Sequence, residues 1–422
     1  MKIYIEPEKS TWPGLCQRPQ LSADFLDSSV ANILSRVKKS GDAALLEFTK
    51  QFDGVSISEI RVQQDELDDA ERQLDPKLKG AIQIASGNIG KFHEAQKRDV
   101  VKIETSPGVL CWRKPAAIEK IGVYIPGGSA PLFSTVLMLG IPAKLAGCKE
   151  VILCSPPDRN GRIDPSILFA AQTAGISKIY KVGGAQAIAA MAYGTESIPQ
   201  VYKIFGPGNQ FVTKAKQLVS MDGIAIDMPA GPSEVLILAD ENANPKFIAA
   251  DLLSQAEHGV DSQVVLVASE KTIVDLTLAE IESQLRSLPR KEIAEKALSN
   301  SFAVILNKPR AIEFINQYAP EHLILNTNDC DQLVEEITNA GSIFLGNFTP
   351  ESAGDYASGT NHTLPTSGFA KSFGGVSLES FLKYITIQKI SKEGIKNLGP
   401  VIEIMADAEQ LIAHAEAVRV RY

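Results

Sequence analysis

Gly122-Val123-Tyr124-Ile125-Pro126-Gly127-Gly128-Ser129 joins a short apolar run to a glycine turn, and a helical pattern follows. A run that short, closed by turn residues, reads as a buried strand. The rhythm then repeats. Glu150 to Cys154 reads as a strand and Ile167 to Ala174 as a helix; Ile179 to Val182 is a strand ending at Gly183-Gly184, before a helix from Ala185 to Tyr193. Val201 to Phe205 leads into Gly206-Pro207-Gly208-Asn209 and another helix. Successive strand-glycine-helix units predict a parallel sheet with ligand-binding loops at the carboxyl ends of its strands. Glycine at such turns lets the backbone approach a phosphate, and the following helix start favours an anion, so a nucleotide cofactor suits this edge. The fingerprint GxGxxG is absent, and glycine is also routine in tight turns, so the spacing leaves NAD binding open. Tyr124, Gln186 and Asn209 are the polar candidates, one from each turn region.

After the connection from Asp227 to Glu234, rich in proline and glycine, a second alternating series begins. Helices are expected at 247–257, 272–285, 312–318 and 333–340, and strands at 264–267, 302–306, 323–325 and 343–345. The expected fold is therefore α/β, with two Rossmann-like α/β domains built on parallel sheets, at 106–235 and 236–370. Two such units suggest an ancient duplication, although no internal repeat is visible in the sequence. A mainly helical segment at 1–105 precedes them. Its apolar faces are Val30, Ile33, Leu34 and Val37, then Leu45, Leu46 and Phe48 after the Ser40-Gly41-Asp42 break, then a helix opened by Asp75-Pro76. His93, near the end of that last helix, reads as an exposed surface histidine. A small C-terminal helical tail is expected at 371–422, and asparagine 347 to proline 365 forms a long polar loop of the kind that usually carries function.

Composition excludes several classes. With 44% hydrophobic and 22% charged residues, the 422-residue chain can bury more than one core. A formal charge of −8 and no block of lysine and arginine argue against a nucleic-acid partner. No run of about 18 apolar residues occurs and the first residues lack a signal-type core, so a cytoplasmic protein with no membrane partner is expected. The five cysteines are scattered without CxxC spacing, as suits reduced thiols.

The chemistry concentrates at Tyr318-Ala319-Pro320-Glu321-His322-Leu323. Pro320 ends the preceding helical pattern, and Leu323-Ile324-Leu325 starts a strand, so Glu321 and His322 lie where polar side chains can reach a cleft. An imidazole can take a proton from an alcohol, while the adjacent carboxylate orients it or activates water. Gln255 and His258, three apart on an expected helix, share a face and could hold one ion. Asp355 and His362 in the long loop, and His414 near the end, add an oxygen and two nitrogens. Gln255, His258, Asp355 and His414 would suit Zn²⁺ with positions left open for substrate. Ordinary roles are open to each as well: a helix-surface pair, loop hydrogen bonds, an exposed tail residue. Glu409 and His414, five apart on an expected last helix, stand about 140° apart around its axis.

APEHL at 319–323, GPSE at 231–234, SQAEHG at 254–259, PESAGDYASGTNHTLPT at 350–366 and the Glu409-x4-His414 spacing together closely resemble the histidinol dehydrogenase family. The resemblance runs from the PGGSAPL stretch at 126–132 to His414. It implies a Zn²⁺- and NAD-dependent oxidation of L-histidinol to L-histidine through bound L-histidinaldehyde, the last steps of histidine biosynthesis, by a homodimer. It implies zinc ligands at Gln255, His258, Asp355 and His414, the last from the partner subunit. The catalytic pair falls on Glu321 and His322, with His322 as base and Glu321 activating water. Substrate contacts fall on Ser233, His362 and Glu409 besides His322 and the metal ligands, and NAD contacts on Tyr124, Gln186 and Asn209. A metallohydrolase using Gln255, His258 and Asp355 with Glu321 as base, a related amino-alcohol dehydrogenase, and a binding protein that lost the chemistry are the alternatives.

Overall fold

The computed structural model describes residues 1–18, 23–127, 130–228 and 231–422. Gly128 and Ser129 of the glycine turn, and Pro229 and Ala230 of the connection from Asp227 to Glu234, lie outside the described residues. In chain order the described strands are β1 (Lys2–Ile5), β2 (Lys102–Ser106), β3 (Val109–Ala117), β4 (Lys120–Tyr124), β5 (Glu150–Ser155), β6 (Lys178–Lys181) and β7 (Lys203–Phe205). They continue as β8 (Ala225–Ile226), β9 (Glu234–Ala239), β10 (Gln263–Ala268), β11 (Phe302–Ile305), β12 (His322–Asn326), β13 (Ser342–Leu345) and β14 (Leu382–Ile390).

Two parallel sheets form, as the alternating pattern predicts. One is five-stranded in the order β6-β5-β4-β7-β8; the other is six-stranded in the order β1-β11-β10-β9-β12-β13. Without β1, the second repeats the order of the first, which is the topological trace a duplication would leave. Every residue of β9 and β10 is buried, because helices cover both faces and leave no solvent side for an alternating pattern. The helix ends follow local chemistry. Asp75, Asp164, Asn244 and Asn307 each cap a helix that has proline in its first turn. At Gly206 (φ 125°) the chain passes so close to the Tyr124 carbonyl that a Cβ would sit 2.0 Å from it, so only glycine permits this turn.

Several expectations need correction. The N-terminal segment is not all helix: β1 adds to the second sheet beside β11, and Trp12 (1% exposed) packs edge-on to Phe314 with ring centres 5.4 Å apart. Beyond a 3-10 turn at Leu378–Phe381, the tail is helical only from Lys392. Before it, β14 pairs antiparallel with β3, which pairs with β2, in a third sheet. Its run of β-branched residues, Ile385, Thr386 and Ile387, is the strand signal in the sequence. The helix expected at 333–340 is instead a short turn of helix at Cys330–Leu333 continued by a 3-10 turn at Val334–Glu336. His93 is fully buried rather than exposed, because the loop after Tyr356 folds over its helix; its Nδ1 lies 2.9 Å from the Ile89 carbonyl oxygen, and Asn361 Nδ2 is 3.4 Å from its Nε2.

Candidate active site

The two parallel sheets expose opposite ends to ligands. In the first, the carboxyl ends of β4, β5, β6 and β7 open into a cleft of about 1030 Å³, whose walls include Tyr124, Gln186 and Asn209. That is ample for a dinucleotide. The Tyr124 hydroxyl accepts from the Gly184 N–H at 3.0 Å, and Asn209 caps the next helix by accepting from Val212 N–H at 3.1 Å. Asp53, which the sequence did not single out, also lines the cleft, with its carboxyl pushed up to about 6 by burial.

In the second sheet the chemistry gathers at the amino ends. Helix 308–318 stops where Ala319 adopts a left-handed conformation (φ 53°), and Pro320 then directs the chain into β12. Glu321 and His322, 6% and 3% exposed, stand at this entrance. Glu321 Oε2 accepts from the Glu234 N–H at 2.8 Å and lies 3.6 Å from His322 Nδ1. His322 Nδ1 faces the Glu234 carbonyl oxygen at 3.3 Å. Its Nε2 lies 3.4 Å from Asp355 Oδ1 but has no hydrogen-bond partner among the described residues, so a buried acceptor or donor is left aimed into the site.

The long loop is not irregular throughout. Glu351–Tyr356 is a helix, and its i, i+4 spacing turns Glu351 and Asp355 to one face. Ligand atoms of His258, Glu351 and Asp355 all lie within 4.8 Å of one another. Gln255, 1% exposed, stands beside them: with its amide oriented to satisfy both neighbours, it donates to Glu351 and accepts from the Glu234 N–H at 2.9 Å. Its helix ends at Ala256, so His258 sits just past the helix end rather than on it, and is exposed. His362 Nδ1 lies 2.8 Å from the Asp355 carbonyl oxygen, and its Nε2 lies 2.9 Å from Thr135 Oγ1. Thr135 belongs to the helix that follows the first glycine turn, so His362 links the carboxylate cluster to the unit that carries the nucleotide-type cleft.

The site carries an excess of negative charge. Burial pushes the Glu351 carboxyl well above its ordinary value, with Asp355, Glu321 and Asp251 adding to it. Burial works against a charged His322, yet Glu351, Glu321 and Asp355 outweigh it and hold the imidazole well above its usual range. Both shifts have one meaning: the cluster takes up positive charge, as a proton or as a metal ion. One nitrogen and several carboxylate oxygens at this separation, with a buried unpaired imidazole nitrogen nearby, fit a divalent ion such as Zn²⁺. Ser233, half-buried, directly precedes Glu234. Glu409 and His414 do not share one helix: Glu409 caps the helix ending at Ala408, and His414 lies in the next, at Ile412–Arg419. Both are exposed, with no side-chain partner among the described residues and no place in the cluster. Glu351 is the residue the sequence reading missed, and the four-residue step to Asp355 after Pro350 was the available signal.

The family model described as histidinol dehydrogenase matches residues 16–422. A histidinol dehydrogenase of Bacteroides fragilis is 57% identical over 422 residues, covering 100% of this chain and 99% of the relative. One from Vibrio parahaemolyticus is 52% identical, over 97% of this chain and 95% of its own length. The crystal structure of histidinol dehydrogenase from Elizabethkingia anophelis superposes with a TM-score of 0.97 at 56% identity, over 100% of this chain and 98% of that one. With the match running through both sheets and every site segment, the chain belongs to the histidinol dehydrogenase family.

Proposed function

We propose that this protein is an oxidoreductase of histidine biosynthesis that oxidises L-histidinol to L-histidine in two NAD⁺-dependent steps through bound L-histidinaldehyde, with one Zn²⁺ per subunit. The observation that carries the reading is the meeting of Glu321 and His322 with the His258, Glu351 and Asp355 cluster, which His362 ties to the helix that follows the first glycine turn. Zn²⁺, when bound, supplies a Lewis acid that grips nitrogen atoms of the substrate. NAD⁺ in the cleft of Tyr124, Gln186 and Asn209 supplies the hydride acceptor.

The chain's own residues divide the proton chemistry. His322 Nδ1 is turned to the Glu234 carbonyl; with a cation in the cluster to offset the carboxylates that otherwise keep the imidazole charged, Nε2 would be left to take the hydroxyl proton of the alcohol and later of the hydrated aldehyde. Glu321 Oε2 is held by the Glu234 N–H, while Oε1 has no partner among the described residues and can draw a proton from the attacking water. Ser233 and His362 border the substrate space. Burial keeps His362 below its usual range, so it serves as a neutral hydrogen-bonding group.

His258, Glu351, Asp355 and Gln255 come from this chain, whereas His414 and Glu409 project from the C-terminal arm. We assign those two to the neighbouring subunit's site in a homodimer. The arm supports this: Ile385, Val401, Ile404, Met405 and Ile412 leave an apolar surface exposed that a second copy would cover. Purified protein mixed with L-histidinol and NAD⁺ should form NADH and should carry one zinc per chain by elemental analysis. Retained zinc without NAD⁺ binding or turnover would refute the reading and favour a metallohydrolase.

A further inference from the structure

Glu234, the first residue of β9, is 1% exposed and takes no part in the proton transfers above, yet its backbone touches both residues that do. Its N–H donates to Glu321 Oε2 at 2.8 Å, and its carbonyl oxygen lies 3.3 Å from His322 Nδ1. The same N–H reaches the Gln255 amide oxygen at 2.9 Å. The backbone of this one residue therefore orients the carboxylate, the imidazole and the amide of the site.

The side chain of Glu234 is clamped from far away in sequence. Arg18 donates Nε to Oε2 at 2.6 Å and Nη2 to Oε1 at 3.2 Å, and the Ser367 N–H donates to Oε1 at 3.0 Å. Arg18 is itself fixed on three sides. Its Nη1 donates to the Cys16 carbonyl at 2.6 Å and its Nη2 to the Tyr318 carbonyl at 2.8 Å, and its guanidinium carbon lies 3.5 Å from the centre of the Tyr318 ring. Tyr318 is the last residue of the helix that delivers Ala319, Pro320 and Glu321. Arg18 thus ties the strand that orients the catalytic pair to the helix that carries it. A buried ion pair is a poor device for stability alone, since apolar residues of the same volume serve as well or better. Fixed geometry is what a planar, two-pronged cation adds.

We infer that Arg18 is a positioning residue for this oxidation, holding Glu234 and Tyr318 in the relation that aims Glu321 and sets which imidazole nitrogen of His322 faces the substrate. The inference rests on the function proposed above and names a residue in a segment that reaches no substrate itself.

The test compares Arg18→Ala, which removes the clamp, with the double variant Arg18→Met, Glu234→Met, which removes the buried charges together and keeps the backbone groups. In each, melting temperature, zinc content, kcat and KM for L-histidinol are measured, with and without guanidinium chloride at millimolar, non-denaturing concentration. The expected result is a fall in kcat of about tenfold to a hundredfold with KM changed by less than about threefold, as for a displaced catalytic group. Guanidinium should restore kcat in Arg18→Ala, whose Glu234 carboxylate can hold it, and should not do so in the double variant. The double variant should recover the melting temperature without recovering kcat. A kcat within about twofold of wild type in either folded variant overturns the inference. A loss in Arg18→Ala that guanidinium leaves untouched, or a double variant in which kcat returns with the melting temperature, assigns Arg18 to folding and overturns it as well. Failure of the wild-type protein to form NADH from L-histidinol refutes the proposed function, and the inference with it.

Discussion

On the proposed division of roles, replacing Glu321 with Gln should separate the two oxidations. A glutamine oxygen can still accept from the Glu234 N–H, now at 2.8 Å, so the side chain keeps its place while its charge is lost. Water activation by a placed carboxylate is worth about 10²- to 10⁴-fold, or about 3–5 kcal/mol of barrier, and that whole effect falls on the second oxidation. In the proposed mechanism the first oxidation needs only His322. Glu321 contributes to the basicity of His322 across 3.6 Å, a pair worth at most about 5 kcal/mol at an effective dielectric constant of about 20. Glu351 and Asp355 remain to support the imidazole, so the alcohol step should slow by less than about tenfold. Initial rates of NADH formation are to be measured separately with L-histidinol and with L-histidinaldehyde, together with the aldehyde that accumulates. The account expects aldehyde build-up and a selective loss of the second rate. Equal losses in the two half-reactions would refute the division of labour between Glu321 and His322.

Three other perturbations follow from the same geometry. Glu351→Gln removes a charge from the His258, Glu351 and Asp355 cluster and alters the partner of Gln255, so zinc retained after dialysis should fall, with affinity lower by at least about tenfold; unchanged zinc content would remove Glu351 from the site. Asp251 is buried with no side-chain hydrogen-bond partner among the described residues, and burial pushes its carboxyl up to about 7 from an ordinary 3.8. Because the folded-state value is raised, the cost is absent below the unfolded value, grows between about pH 4 and 7 and is constant above. Asp251→Asn should therefore stabilise the protein at pH 8 by at most about 4 kcal/mol and change little near pH 3.5; a pH-independent difference in thermal melts would contradict this. Gly206→Ala places a Cβ 2.0 Å from the Tyr124 carbonyl oxygen at a φ of 125°, so it should weaken NAD⁺ binding and lower the melting temperature, while Gly223→Ala, with nothing near its Cβ, should spare NAD⁺ binding.

The sequence made the parallel sheets legible because buried parallel strands write themselves as unbroken apolar runs, as in β9 and β10, and their turns as glycine. Asp75-Pro76 located a helix start for an equally local reason. What stayed hidden depends on contacts far apart in the chain. β1 is four residues long and gains meaning only beside β11. His93 is buried by a loop more than 260 residues downstream, through Asn361. Glu321, His322, His258 and Asp355 could be named as candidates because their side chains advertise acid, base and ligand chemistry. Glu234 and Arg18 could not, since a buried ion pair and a surface one look alike in sequence. Glu351 lies in a stretch whose polar composition reads as a loop, although the chain is helical at that point.

The central claim is a four-electron oxidation at one zinc-dependent site. The measurement that tests it most directly is the number of NADH molecules formed per L-histidinol consumed, with excess NAD⁺, before chelation, after chelation and after zinc is restored. The account predicts two NADH per L-histidinol, lost on chelation and regained with zinc. One NADH, with the aldehyde as end product, or turnover indifferent to chelation, would contradict it.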